Sequence, residues 1–309
     1  MKRYLSFLIA VMLVLISFAS CKGLEENKSD NKINIISTNF PSYDFAREIC
    51  KDKANITMLV PPGTESHSYE PTPKDIIALQ NCDLFIYTGG VSDSWIEKIL
   101  NSLEKPINTL KMMDCTEILK EELKEGMQHH TEHSGEEYDE HVWTYPKNAI
   151  KITEGIYKKV IEIDSQNKEH YEQNKEKYIN EIKNLDNAFE MLFNNKKVTL
   201  IFADRFPFRY FVEGYGLDYY GAFPGCSSET EPNASTVAFL IDKIKAEKIS
   251  TIFYIELSNK KMCQSIASQT GANIALLHSC HNISKEEKER GETYLSLMYK
   301  NYETLKNAF

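Results

Sequence analysis

A chain of 309 residues, 42% hydrophobic and 26% charged, is long enough to bury a core in each of two lobes of ordinary domain size. Its net charge of -9 and pI near 5.5 exclude a nucleic-acid partner, since phosphate binding needs basic patches and the sequence has none. The composition is that of a globular protein.

Lys2 and Arg3 precede an uncharged apolar run from Tyr4 to Phe18, then Ala19, Ser20 and Cys21. The run falls short of the roughly 20 apolar residues that a bilayer core demands, and small residues stand before a cysteine where a cleavage site belongs. This reads as an export signal over residues 1–20 of the kind found in bacterial lipoproteins. Cys21 then carries the acyl chains that anchor the protein to the outer face of the cell membrane, with residues 21–31 as a polar tether. Six cysteines besides Cys21 remain in an exported chain and permit disulfides, and the sequence does not choose among the pairings.

Residues 32–164 read as a first α/β lobe. Strand Ile33–Ser37, a helix around Tyr43–Cys50 and strand Ile56–Val60 lead into PPGTESHSYEPTP, residues 61–73, whose prolines fix a loop that presents His67. Pro73 suits the first turn of a helix running to Gln80. Strand Leu84–Tyr87, a helix near Ser94–Leu103 and a strand near Ile107–Leu110 continue the βα rhythm of a parallel sheet. The stretch 121–140 changes character, with His129, His130 and His133 among acidic residues. Too polar to bury a core, it reads as a mobile, metal-collecting surface loop. His141 differs, because Val142 and Trp143 follow it and anchor it ahead of a helix near Asn148–Ile163.

From Ser165 to Asn194 the chain reads as one long helix. Tyr171, Tyr178, Leu185 and Leu192 recur every seven residues, Ile182 and Phe189 fill a second row, and no Gly or Pro intervenes between Gly155 and Pro207. At roughly 45 Å it is a strut between lobes; a coiled-coil dimer is disfavoured by the short apolar rows and by Tyr at two first-row positions. Residues 195–309 repeat the rhythm in a second lobe, with strands Val198–Phe202, Leu217–Ala222, Thr251–Ile255 and Asn273–Leu277 and helices Tyr210–Tyr215, Ala234–Glu247, Lys260–Thr270 and Gly291–Ala308. His67, Asp204, Glu256 and His278 all follow strands closely, where open α/β sheets bind ligands.

Isolated histidines at strand and loop ends of both lobes point to a divalent metal in the cleft between them. Neutral imidazoles with one or two carboxylates suit Zn(II). The chain resembles the zinc and manganese solute-binding lipoproteins of bacterial ABC transporters, from the signal to the last helix. PPGTESHSYEPTP matches their first-ligand loop, and DEHVWTYP matches a second-ligand motif usually written DPHVWLDP. The resemblance implies the rigid strut, little hinge motion, and His67 and His141 as ligands. In the second lobe FADRFPFRYFVEGYGL carries no histidine: aligned on the strand, Ala203 stands at the family's third-ligand position, and counted back from Tyr215-Gly216-Leu217, Arg205 does. Asp204 substitutes, or Arg205 orients a neighbouring carboxylate. His278 takes the fourth place, with His281 three residues on. The expected set is His67, His141 and His278, completed by His281 or Asp204. Cys226 and Cys280 are expected to form a disulfide; reduced, Cys280 would offer a softer ligand.

The resemblance implies a monomeric receptor that captures Zn(II), with Mn(II) as the alternative, and delivers it to an ABC permease in the membrane without catalysis. A zinc hydrolase is the competing class, but H-E-x-x-H and G-x-S-x-G are both absent. A surface adhesin has tethering alone in its favour.

Overall fold

Short β-branched runs set the frame, with Ile33–Ser37 and Leu84–Tyr87 the most deeply buried of them in the first sheet. In the computed structural model, which describes residues 32–66, 69–103, 105–128, 137–227 and 231–309, β1 (Ile33–Ser37) is followed by α1 (Phe40–Cys50), β2 (Ala54–Met58), α2 (Pro73–Gln80), β3 (Leu84–Tyr87), α3 (Ile96–Ser102) and β4 (Thr109–Lys111). These strands form one parallel sheet in the order β2-β1-β3-β4. The helices begin where the sequence puts a cap: Asn39 accepts from Ser42 at the start of α1, and Thr72 with Asp75 makes a capping box ahead of Pro73 in α2. The expected lipidation site at Cys21 and the signal before it lie outside the described residues. No helix among the described residues is long and apolar enough to cross a membrane.

A turn at Val142–Thr144 leads into α4 (Pro146–Ile163), and after a second turn at Ser165–Asn167 comes α5 (Lys168–Phe193). This is the predicted strut, one turn shorter at its start. Its buried face holds Tyr171, Tyr178, Ile182, Leu185, Phe189 and Phe193. Leu192 of the heptad row is only partly buried and Phe193 replaces it, because a straight helix of 3.6 residues per turn drifts off a strict repeat of seven. Near its start Tyr178 meets Phe45 of α1 at 6.2 Å between ring centroids, and near its end Phe189 meets Phe211 edge-on at 5.0 Å and Tyr302 at 5.8 Å. The one helix therefore packs against elements from both halves of the chain.

The second half comprises β5 (Thr199–Ile201), β6 (Arg205–Phe206), α6 (Arg209–Tyr215), β7 (Asp218–Tyr220), β8 (Phe223–Pro224), α7 (Ala234–Glu247), β9 (Thr251–Tyr254), α8 (Lys261–Thr270), β10 (Asn273–Leu276), α9 (Lys285–Glu289) and α10 (Tyr294–Ala308). β5 pairs with β7 and β9 with β10, both parallel, and a parallel bridge from Phe202 to Phe253 joins the two ladders. The short β6–β8 pair, absent from the sequence reading, carries Arg205. Two residues per strand are too few to leave a periodic signal. Residues Ile33–Phe309 form one compact unit.

The acidic histidine stretch divides. His129, His130 and His133 fall outside the described residues, but the preceding segment is anchored. Lys120 bridges Tyr138, Gln128 N–H donates to Ala222 O at 2.9 Å, and Met127 packs on the core. The expected mobile loop is thus tied down as far as Gln128, by backbone pairing that its polar side chains do not advertise.

Candidate metal centre

His141 is placed by a turn that its own neighbours build. Its N–H donates to Asp139 Oδ1 at 2.8 Å, the same oxygen lies 3.1 Å from its Nδ1, and Thr144 Oγ1 donates to its carbonyl at 2.8 Å. With Nδ1 engaged by a carboxylate, Nε2 is the nitrogen that could hold a metal. The ring is fully buried. Burial opposes its protonation, but Asp139, Glu140 and Glu121 outweigh that and hold its pKa above the usual histidine value. Gly225 is needed here, since a Cβ on it would come within 2.9 Å of Asp139 Oδ2 and 3.2 Å of His141 Nδ1.

His281 arrives from the far end of the chain. Beyond β10 the segment turns back on itself with Cys280 in the left-handed region at φ 62°, a conformation that costs a non-glycine residue on the order of 1 kcal/mol. Glu256, just after β9, holds that turn: it accepts from Ser279 N at 2.7 Å and from His281 N at 3.1 Å. Trp143 Nε1–H donates to Ser279 O at 2.8 Å, which ties the turn to the His141 segment. The rings of His141 and His281 lie 5.2 Å apart, perpendicular.

Among the described residues, the ligand atoms of Glu140, His141 and His281 fall within 4.8 Å of one another, all three buried. A pocket beside them is lined by Glu65, Ser66, His141, Arg205, Glu256 and His281, among others. It opens at the carboxyl ends of strands in both halves, as parallel sheets dictate. Ser66 immediately precedes His67, which lies outside the described residues.

The other expected residues lie elsewhere. His278 is built into the packing of α10: its N–H donates to Asn301 Oδ1 at 2.8 Å, its carbonyl accepts from Asn301 Nδ2 at 2.7 Å, and its Nδ1 accepts from Cys280 N at 2.9 Å. Its Nε2 stands 3.5 Å from Glu287. The left-handed turn at Cys280 parts the two histidines, so His281 and not His278 reaches the pocket. Asp204 lines an adjoining hollow that shares Glu65, Arg205 and Glu256 with the first, and its Oδ1 accepts from the next backbone N–H, that of Arg205, at 2.9 Å. It is not grouped with the two imidazoles. Arg205 does meet a neighbouring carboxylate, Glu65, with Nη2 to Oε2 at 2.6 Å and Nη1 to Oε1 at 3.3 Å.

The expected disulfide is not formed. Cys226 and Cys280 are both free, because they serve different surroundings: Cys280 Sγ lies 3.8 Å from His278 O, whereas Cys226 sits with Asp139 and His141, ligand atoms within 4.8 Å. Burial, then Glu140, Glu121 and Asp139, push the Cys226 thiol far above its usual pKa and keep it protonated. Glu140 goes unrecognised in the sequence, and Cys226 reads there as a disulfide partner and not as a neighbour of His141. For Glu140 a signal existed, since it stands where the second-ligand motif usually has proline.

The profile of the family described as "Zinc-uptake complex component A periplasmic" matches residues 35–308. The chain belongs to this family. It is similar to the high-affinity zinc uptake system protein ZnuA of Bacillus subtilis, 31% identical over 98% of this chain and 96% of that one. It is also similar to the zinc-binding lipoprotein AdcA of Streptococcus pneumoniae, 30% identical over 99% of this chain, which spans only 61% of AdcA's length. The Zn(II)-bound ZnuA-like domain of Streptococcus pneumoniae AdcA superimposes with a TM-score of 0.74 at 30% identity, covering 90% of this chain and 98% of that domain.

Proposed function

We propose that this chain is the metal-capturing component of a zinc-uptake ABC transporter: it binds Zn(II) outside the cytoplasmic membrane and passes it to a membrane permease. His67, His141 and His281 supply imidazoles, and Glu140 is the carboxylate within reach. The observation that carries the reading is the convergence of His141 and His281, distant in sequence, into one buried group at a cleft in a member of a zinc-uptake family. Three imidazoles and a carboxylate favour Zn(II) over Mn(II). The metal is cargo, so no open coordination position or general base is required of the site and no reaction is catalysed. The lipid anchor at Cys21, the monomeric state and the division into lobes at 32–164 and 195–309 on a helix at 165–194 belong to the same proposal.

Imidazole ligands must shed their protons to bind metal. With the pKa of His141 raised, protons compete from a higher pH than for an ordinary histidine. Protein purified without added metal should carry about one equivalent of zinc, and its affinity should begin to fall with pH already above about 6.5, the ordinary histidine value. Stoichiometric Mn(II) that excludes zinc, or the absence of any tight metal, would overturn the assignment.

A further inference from the structure

The loop that carries His67 is fastened to the opposite half of the molecule along its described length. Gly63 N–H donates to Ile283 O at 2.7 Å, and Asn282 Nδ2 donates to Pro61 O and Thr64 O, each at 2.8 Å. Arg205 adds the fastening nearest to His67. Its guanidinium, 8% exposed, makes a two-pronged pair with Glu65 and also donates to Ser227 O at 3.2 Å. Glu65 is two residues from His67 and 140 residues from Arg205, and both line the pocket. On one alignment Arg205 occupies the family's third-ligand position. An arginine stays cationic and offers a metal no lone pair, so it does not act there as a ligand.

We infer that Arg205 is a positioning residue for metal retention: its fork on Glu65 bolts the His67 loop across the pocket and so slows metal release, in place of an added ligand. The inference rests on the assignment of His67 as a ligand. The physical reason is entropic. A planar guanidinium on a carboxylate fixes both position and orientation, so the stretch at Glu65 and Ser66 is already ordered at the pocket and binding need not supply that ordering. Because the pair is internally neutral, Arg205 adds little net repulsion toward a dication. Half of the pair is open to solvent, with Glu65 41% exposed, so the bolt is weakened by salt.

The test is the rate at which a chromophoric chelator removes zinc from the full chain, together with the absorption spectrum of the Co(II)-substituted protein. Arg205→Ala and Glu65→Gln should each speed release about fivefold, and the double variant should be no faster than either. Added salt should speed release from the wild type but not from the double variant. The Co(II) spectrum should stay unchanged, since no ligand is lost, and Arg205→Lys should restore part of the slow release. Tighter binding in Arg205→Ala, additive effects, or an altered Co(II) spectrum would overturn the inference. Should Arg205→Ala fail to fold, Glu65→Gln at the exposed end carries the same test. His67→Ala separates the two claims: unchanged zinc affinity there sinks the ligand assignment, while unchanged release rates in the Arg205 and Glu65 variants sink the bolt alone.

Discussion

The segments around His141 and His281 bring two imidazoles to one pocket by opposite means. His141 is oriented from within its own stretch: Asp139, two residues earlier, takes both its backbone N–H and its ring nitrogen, and Thr144 closes the turn. His281 is oriented from outside, by Glu256 after a different strand and by Trp143 from the other half of the chain. A locally built ligand leaves a compact motif in the sequence. One built from distant parts leaves two histidines three residues apart with nothing nearby to rank them.

The sharpest way to break this comparison is to remove each histidine of the second segment in turn. His281→Ala should weaken zinc binding by more than the roughly 100-fold that loss of an outer partner costs, with little change in the metal-free melting temperature. His278→Ala should do the reverse. It strips partners from Glu287 and Cys280 and leaves a buried hole, so stability should fall by about 1–3 kcal/mol while zinc affinity holds. Isothermal titration and thermal melts of both variants decide the matter. Loss of zinc binding in His278→Ala with none in His281→Ala would reverse the roles.

The same contrast explains what was legible beforehand. The βα alternation, the strut and His141 rest on local signals: β-branched runs, an uninterrupted helical stripe and a motif with its own orienting carboxylate. The choice of His281 over His278 rests on the left-handed turn at Cys280 and on Glu256, neither of which spacing reveals. Likewise the pairing of Cys226 with Cys280 was plausible on compartment alone, and only the placement of Cys226 beside Asp139 and His141 rules it out. Arg205 was visible as a departure from the family pattern, but its partner lies 140 residues away.

A smaller effect separates the two orienting carboxylates. Asp139→Asn keeps the shape at His141 and an oxygen that accepts from its Nδ1 but removes the charge that strengthens the ring as a ligand, so zinc affinity should drop about 10-fold. Glu256→Gln keeps one acceptor oxygen for the two backbone N–H groups of the second turn but leaves the charge on His141's own partner untouched, and should cost less. Equal losses in the two variants, measured by competition with a chelator of known affinity, would show that ring basicity at His141 adds nothing beyond geometry.

The smallest effect concerns the histidine that stays out of the pocket. Contact with His278 is the largest influence on Glu287, whose pKa falls from the usual 4.5 to about 2, burial opposing and Ser284 assisting. On His278 the largest influence is burial, which disfavours charge, but Glu256 and Glu287 overcome it and raise its pKa above the usual value. The signs then set a window. A depressed carboxylate contributes stability that is present above 4.5 and lost as pH falls toward 2, whereas a raised histidine contributes stability that is present below about 6.5 and lost as pH climbs through its folded value. Both hold together only between those limits, so the stability of the metal-free wild type over Glu287→Gln should peak between about pH 4.5 and 6.5 and shrink on either side. Because Glu287 also closes the capping box of α9 through Ser284, a residue of the difference persists at higher pH. A difference that is flat from pH 3 to 9 in chemical denaturation would mean that the cap alone matters and that His278 is held by Asn301 and its backbone.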